Sequence, residues 1–287
     1  MNPAIQTENL IYTYSPDSPF KKTALDNINL SIQPGEFVGI IGHTGSGKST
    51  LIQHFNRLLK PTSGKVLIDG IDISQKETDI KKIRQKVGLV FQYPEYQLFE
   101  ETVFEDIAFG PKNLNYSEEE IQQLVRESMS FVGLSEDLFQ KSPFELSGGQ
   151  KRRVAIAGVL AMKPDILILD EPTAGLDRRA KDLILNKIRD LHQQKGTTIL
   201  IVSHSMEDIA SYAQRVIVMN DGRIAFDAAP YDVFQNETEL TRIGLDIPHI
   251  SKIINFLHER GYPVDTHACT LDAVKQELLK LIGGAPC

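Results

Sequence analysis

Between an unbroken apolar run, Phe37-Val38-Gly39-Ile40-Ile41, and a helix with one apolar stripe lies Gly42-His43-Thr44-Gly45-Ser46-Gly47-Lys48-Ser49. These eight residues fit the pattern G-x-x-x-x-G-K-[ST] in full. Phosphate concentrates negative charge, and successive backbone N–H groups at a helix N-terminus offer donors and the positive end of a dipole. Gly42, Gly45 and Gly47 let the backbone wrap phosphate oxygens where a Cβ would intrude. Lys48 supplies a point charge, and the Ser49 hydroxyl suits Mg²⁺. His43, Thr44, Ser46 and Thr50 complete the loop and are read as nucleotide contacts.

A buried strand feeding a phosphate loop demands a sheet, and the rest of the chain supplies one. Ile28, Leu30 and Ile32 alternate with Asn29 and Ser31, the period of a half-buried strand. The stripe Leu51, Ile52, Phe55, Leu58 and Leu59 predicts a helix reaching Leu59, and Val66, Ile68, Ile71 and Ile73 resume strand character. Val87–Phe91 is a short buried strand ending at Gln92. Between about Thr102 and Gln150 helical spacing takes over (Ile121, Leu124, Val125, Ser128, Met129, Val132), predicting a helical subdomain over about 95–160. Strands return at Ile166–Leu169, Thr198–Val202 and Val216–Met219, alternating with helices, which predicts a parallel core sheet. A cassette over residues 1–230 is therefore expected, with a helical appendage over 231–287. The appendage has two apolar faces, Ile250/Ile253/Ile254/Leu257 and Leu271/Val274/Leu278/Leu281. They suit either packing on each other or dimerisation.

A chain of 287 residues can bury a large core. Its 31 basic against 38 acidic residues, net −7, argue against a nucleic-acid binder. No apolar run approaches the ~18–20 residues that span a bilayer, and the first residues lack the pattern of a signal peptide. Any membrane span would have to come from another chain. Two cysteines, Cys269 and Cys287, suggest a reducing cytosol.

Two further motifs follow the phosphate loop. Leu146-Ser147-Gly148-Gly149-Gln150 opens a Lys/Arg-rich helix, and Ile166-Leu167-Ile168-Leu169-Asp170-Glu171 is an apolar strand tipped by two carboxylates. Asp170 should emerge at the carboxyl edge of the sheet, where ligands of open α/β sheets bind. Glu171, one position on, can orient or deprotonate a water; the plainer alternative is an acidic helix cap before Pro172. In this order the motifs resemble the ATPase subunit of an ATP-binding-cassette (ABC) transporter, from about Ile5 to about Pro230. The resemblance implies a P-loop NTPase fold with a mostly parallel core sheet and antiparallel N-terminal strands. It also implies ATP and Mg²⁺ as ligands, with Ser49, Gln92 and Asp170 around the metal and Glu171 as catalytic base. His204 takes the γ-phosphate switch position, and Gln92 reaches the metal and the water. Tyr14 stands where the family stacks adenine, although Tyr12 lies two residues away on the same strand face. Ser147, Gly149 and Gln150 would serve the nucleotide of a second subunit, and Asp177 would lie at the dimer seam.

Within the family, Gly42-His43-Thr44-Gly45, Phe91–Val103 and Ala108-Phe109-Gly110-Pro111-Lys112-Asn113 are similar to energy-coupling factor (ECF) transporters, most of all to the second of their two ATPase subunits. That likeness implies import of vitamins or transition-metal ions from the cytoplasmic face of the membrane. The partners would be a second homologous ATPase, a membrane scaffold and an exchangeable membrane-embedded substrate-binding subunit, with no nucleic acid. The alternatives are a conventional ABC importer subunit, or a soluble ABC ATPase working on nucleic acid or ribosomes. Pro94–Val103, next to Gln92, mixes Tyr96, Leu98, Phe99 and Val103 with Glu95, Glu100 and Glu101. It is expected either to receive a short arginine-bearing helix of the scaffold or, for Leu98, Phe99 and Val103, to be core.

Overall fold

The computed structural model describes residues 2–283; Cys287 lies outside them, and Cys269 is partly buried with no disulfide partner among the described residues. An antiparallel sheet contains β1 (Ile5–Tyr14), β2 (Lys22–Ile32), β4 (Ser63–Ile68) and the two-residue β5 (Ile71–Asp72), in the order β2-β1-β4-β5. A second sheet contains β3 (Phe37–Ile41), β6 (Val87–Val90), β7 (Ile166–Asp170), β8 (Thr198–Val202), β9 (Arg215–Asn220) and β10 (Arg223–Ala228). Its order is β10-β9-β3-β8-β7-β6, parallel except for the β9–β10 edge pair.

The parallel strands are nearly pure aliphatic because both of their faces are covered. Phe37, Ile41, Leu167, Leu169, Ile199 and Ile201 enter one apolar cluster, which they share with the helices between β6 and β7. Their neighbours Val38, Ile40, Ile166, Ile168, Leu200 and Val202 enter the other, beneath the antiparallel sheet and α1 (Lys48–Phe55). Period-2 alternation is thus present in space although hydropathy cannot display it.

The short α2 (Ile80–Lys86) leads into β6, and between β6 and β7 run α3 (Val103–Asn113), α4 (Glu118–Phe131) and α5 (Gly148–Leu160). Ser117 and Glu120 close α4 with a reciprocal capping box, as Ser147 and Gln150 do for α5. Leu98 and Val103 are buried in this layer, so the core reading holds for those two; Phe99 remains 59% exposed.

The structure departs from the expected helix to Leu59: α1 ends at Phe55, Arg57 adopts a left-handed φ of 57°, and Leu58 is exposed. Buried Arg57 donates to the carbonyls of Gln75 and Thr78, a polar anchor that hydrophobic periodicity cannot foresee. Ile71 is likewise exposed, in a two-residue strand.

α6 (Arg178–Lys195) precedes β8 and α7 (Met206–Tyr212) follows it; after β10 come α8 (Pro230–Phe234), α9 (Glu237–Arg242), α10 (His249–Glu259) and α11 (Leu271–Gly283). Val233, Phe234, Leu240, Leu245 and Ile247 belong to the main core. A separate cluster starts at Ile250 and is built on Ile254, Val264, Ala268 and Val274, with Leu257, Leu278 and Leu281 packed against it. The two apolar faces therefore meet each other, while Ile253 and Leu271 point outward. No helix among the described residues is long and apolar enough to cross a membrane.

Candidate nucleotide site

Four loops leave the carboxyl ends of β3, β8, β7 and β6, adjacent strands of one sheet, and they carry Gly42–Ser49, His204, Asp170–Glu171 and Gln92. The phosphate loop is held on both sides. A Cβ on Gly42 would approach the Met219 carbonyl to 2.4 Å, and one on Gly47 the Ala24 carbonyl to 2.6 Å; Gly47 also has a φ of +105°. No side chain caps the N-terminus of α1 and no acidic residue sits in its first turn, so its positive end is left for an anion.

Lys48 is buried and donates to the carbonyls of Gly42 (2.6 Å) and His43 (3.0 Å). Burial pulls its pKa down, opposed by the charges of Glu171 and Asp170. His43 bridges the Thr44 carbonyl and the Asn220 side chain, while Ser46 is fully buried against Gly222. Ser49 donates from Oγ to Asp170 Oδ2 at 2.9 Å. Burial raises the Asp170 pKa, and the Ser49 hydrogen bond and the Lys48 and His204 charges oppose that rise.

Glu171 is 8% exposed, with a left-handed φ of 50° just past the strand and its N–H donating to the Val202 carbonyl. It caps no helix: the next one, α6, is capped by Asp177, whose carboxylate accepts from Ala180 N–H. Its pKa is raised to about 7, chiefly by burial; the backbone N–H of His204 pulls it down, Asp170 pushes it up. His204 Nε2 lies 3.4 Å from Glu171 Oε1, and burial lowers the His204 pKa, keeping the ring neutral at neutral pH.

A cleft of about 170 Å³ runs from the loop to β1 and β2, lined by Tyr14, Lys22, Ala24, Gly45, Gly47, Lys48, Ser49 and Thr50. Tyr14 is 41% exposed and its hydroxyl bonds Thr50 Oγ1 at 3.1 Å. Tyr12 instead packs edge-on against buried His54. Of the two, Tyr14 faces the cleft. Lys22 and Ala24 escaped sequence reasoning, although Lys22 sits directly opposite Tyr14 in the β1–β2 register.

The remaining expected residues stand apart from this cleft. Gln92 is exposed beyond β6 and makes no hydrogen bond to Ser49, Asp170 or Glu171. Ser147 and Gln150 bond each other at the start of α5, with Gly149 between them. A Cβ on Gly148 or Gly149 would meet nothing within 4 Å. Both lack positive φ, so nothing in this chain's own packing requires glycine there.

Ser49 with Asp170 fits Mg²⁺, which is bound by one or two carboxylates, hydroxyls and phosphate oxygens rather than by an all-protein cage. No group of three or more His, Cys, Asp or Glu able to hold a metal by themselves occurs among the described residues.

Comparison with known proteins agrees with this geometry. The ABC transporter family model matches residues 25–174. The energy-coupling factor transporter ATP-binding protein EcfA2 of Clostridium tetani is 56% identical over 97% of each chain; its namesake from Streptococcus pyogenes is 49% identical over 96% of this chain and 99% of its own. The structure of cbiO1 from Clostridium perfringens, part of the ABC transporter complex cbiONQ, superposes with a TM-score of 0.74 at 39% identity, over 89% of this chain and 100% of that one. A dimeric ATP-binding cassette bound to ADP and Pi gives 0.71 at 34% identity, over 79% and 98%. With strand order, phosphate loop and acid-tipped strand all in place, the chain belongs to the ABC transporter family and, within it, to the EcfA2-type energy-coupling factor transporter ATP-binding proteins.

Proposed function

We propose that the carboxyl edge of the parallel sheet hydrolyses ATP, with Glu171 as general base. The chain is the ATPase subunit of an ECF-type ABC importer. The observation that carries the site assignment is Glu171 itself: a buried carboxylate with a pKa near 7, beside a neutral histidine and across from a phosphate loop. A base is most effective when its pKa lies near the working pH.

In this reading Tyr14 stacks on adenine, with Lys22 and Ala24 forming the facing wall. His43–Ser49 and Thr50 surround the phosphates, and Lys48 exchanges its loop carbonyls for β- and γ-phosphate oxygens. Ser49, Asp170 and Gln92 would hold Mg²⁺, which when bound would neutralise charge on the phosphates. Water attacks the γ-phosphorus as the bond to the β-bridging oxygen breaks. Glu171 takes the water's proton, ADP leaves with the bridging oxygen, and the product is inorganic phosphate. His204 donates to the γ-phosphate from where it also contacts Glu171.

Ser147, Gly149 and Gln150 complete the site of a second, homologous ATPase, and Asp177 lies at the seam between them. The open space around Gly148 and Gly149 supports this reading, since a phosphate of another subunit can come close there. A groove of about 550 Å³ beside Gln92, walled by Phe91, Phe99, Phe109 and Met162, receives a short helix of the membrane scaffold. Phe99 and Phe109 meet edge-on at 4.9 Å on that wall. The assembly would sit on the cytoplasmic face of the membrane and include an exchangeable solute-binding membrane subunit.

The test is a pair of substitutions in the transporter complex. Glu171→Gln should keep MgATP binding, abolish turnover and leave the ATPase pair closed, whereas Lys48→Ala should weaken nucleotide binding itself. Equal ATPase rates in Glu171→Gln and the unmodified protein would sink the base assignment. Co-purification of the chain with membrane partners from solubilised membranes tests the assembly.

A further inference from the structure

Glu95, expected at the rim of the scaffold groove, is turned inward. Arg152, in the first half of α5, has a side chain only 3% exposed. Its Nε donates to Glu95 Oε2 at 3.1 Å and its Nη2 to Glu95 Oε1 at 3.0 Å, a bidentate fork. The third arm, Nη1, donates to the carbonyl of Ala174. Three segments therefore meet on one guanidinium. Glu95 lies in the single turn Pro94–Gln97 that follows Gln92. Arg152 shares its helix with the Ser147–Gln150 start. Ala174 lies in the turn between Glu171 and Asp177, where its own N–H donates to the Glu171 carbonyl.

We propose that the Arg152–Glu95 pair, with the Ala174 carbonyl, is a positioning clasp: it locks the start of α5 in register with both Gln92 and Glu171. A displacement of the turn after Gln92, the side facing the scaffold groove, is then passed to the Ser147–Gly149 loop and to the turn after Glu171 together. Shifting one segment alone would leave the buried guanidinium, or the partly buried Glu95 carboxylate, without its partner, and an unpaired buried charge is strongly destabilising. Lysine cannot substitute, since an ammonium lacks the planar fork that serves two carboxylate oxygens and a carbonyl at once. Neither residue lines the nucleotide cleft, so the clasp acts through others. The inference rests on the ATPase reading above.

The experiment uses the full chain in its transporter complex, with three variants: Arg152→Lys, Glu95→Gln, and the double replacement Arg152→Met with Glu95→Leu. Apolar pairs of similar volume commonly replace buried ion pairs without loss of stability, so the double variant keeps the fold while removing the clasp. MgATP affinity of the isolated subunit is measured by titration, and kcat and KM on the assembled complex. We expect Kd and KM within about twofold of the unmodified protein and kcat lowered roughly tenfold or more in Arg152→Lys and in the double variant, the signature of lost alignment rather than lost binding. A folded double variant with unchanged kcat overturns the clasp, as does a Kd that rises in step with any fall in kcat. Should the double variant not fold, Arg152→Lys and Glu95→Gln decide by the same split. Lys48→Ala is the control for the underlying reading: if it still binds MgATP normally, the nucleotide assignment fails, whatever the clasp variants do.

Discussion

The carboxylate proposed as the base should weaken the fold that holds it, and Glu171→Gln makes this measurable. Glu171 carries a pKa of about 7 against 4.5 for a free glutamate, with burial as the main cause. Its Oε1 is buried and accepts no hydrogen bond from the described residues, His204 Nε2 at 3.4 Å being a contact without hydrogen-bond alignment. Between those two values the folded chain holds a proton that the unfolded chain has already released, so the unfolding free energy falls as pH rises. Each pH step of one across that window costs about 1.4 kcal/mol, which brings the penalty to roughly 3 kcal/mol once pH exceeds 7. The linkage relation leaves about half of it at pH 5.5 and essentially none below 4.5. Glutamine has nearly the same shape and cannot ionise. In urea titrations of the nucleotide-free subunit, Glu171→Gln should thus be more stable by up to ~3 kcal/mol at pH 8, and by about half as much at pH 5.5. A variant no more stable at pH 8, or an advantage independent of pH, would refute the reasoning.

Three other outcomes follow from the geometry. Gly149→Val should leave the monomer folded and able to bind MgATP, because a Cβ added there meets nothing within 4 Å, yet it should block ATP-dependent pairing, measured by sedimentation in a Glu171→Gln background. Reversing charge at Glu100 and Glu101 should weaken recovery of the chain with the membrane scaffold while nucleotide affinity stays within about twofold; normal assembly and uptake would place the contact elsewhere. Ending the chain after Pro248 removes the separate cluster beginning at Ile250 and should lower nucleotide-free dimerisation without changing ATP binding, whereas unchanged dimerisation would mean the tail only packs on itself.

Much of the site was legible because its chemistry is written in short contiguous motifs. Gly42–Ser49 and Asp170–Glu171 each carry strand, turn and reactive group within a few residues, so local pattern alone placed them at one sheet edge. What stayed hidden depends on partners remote in sequence. Lys22 joins the cleft only through the β1–β2 register. Arg152 and Glu95, 57 residues apart, look like an ordinary surface cation and a rim carboxylate until the fold brings them together. The expected break after residue 230 followed composition. The packing puts the change of core nearer Ile250, because Val233, Phe234 and Leu240 continue the main cluster. Leu58 and Leu59 misled for a different reason: they continue the apolar stripe of α1 beyond the point where Arg57 turns the backbone.

The strand order has a consequence for biogenesis. β3 lies between β8 and β9, and the phosphate loop leans on residues far downstream: His43 bonds Asn220, 177 positions away, and Gly222 N–H bonds the Ser46 carbonyl. A nascent chain leaving the ribosome therefore carries its loop sequence early but cannot build the loop's outer wall until residue 222 has emerged. At ~5–20 residues per second this delay lasts on the order of ten seconds or more. For most of that interval, until β8 is made, β3, apolar on both faces, lacks both neighbours. Nucleotide can bind only after nearly the whole cassette has been made, so ATP cannot serve as an early template for folding and acts instead as a check on a finished subunit.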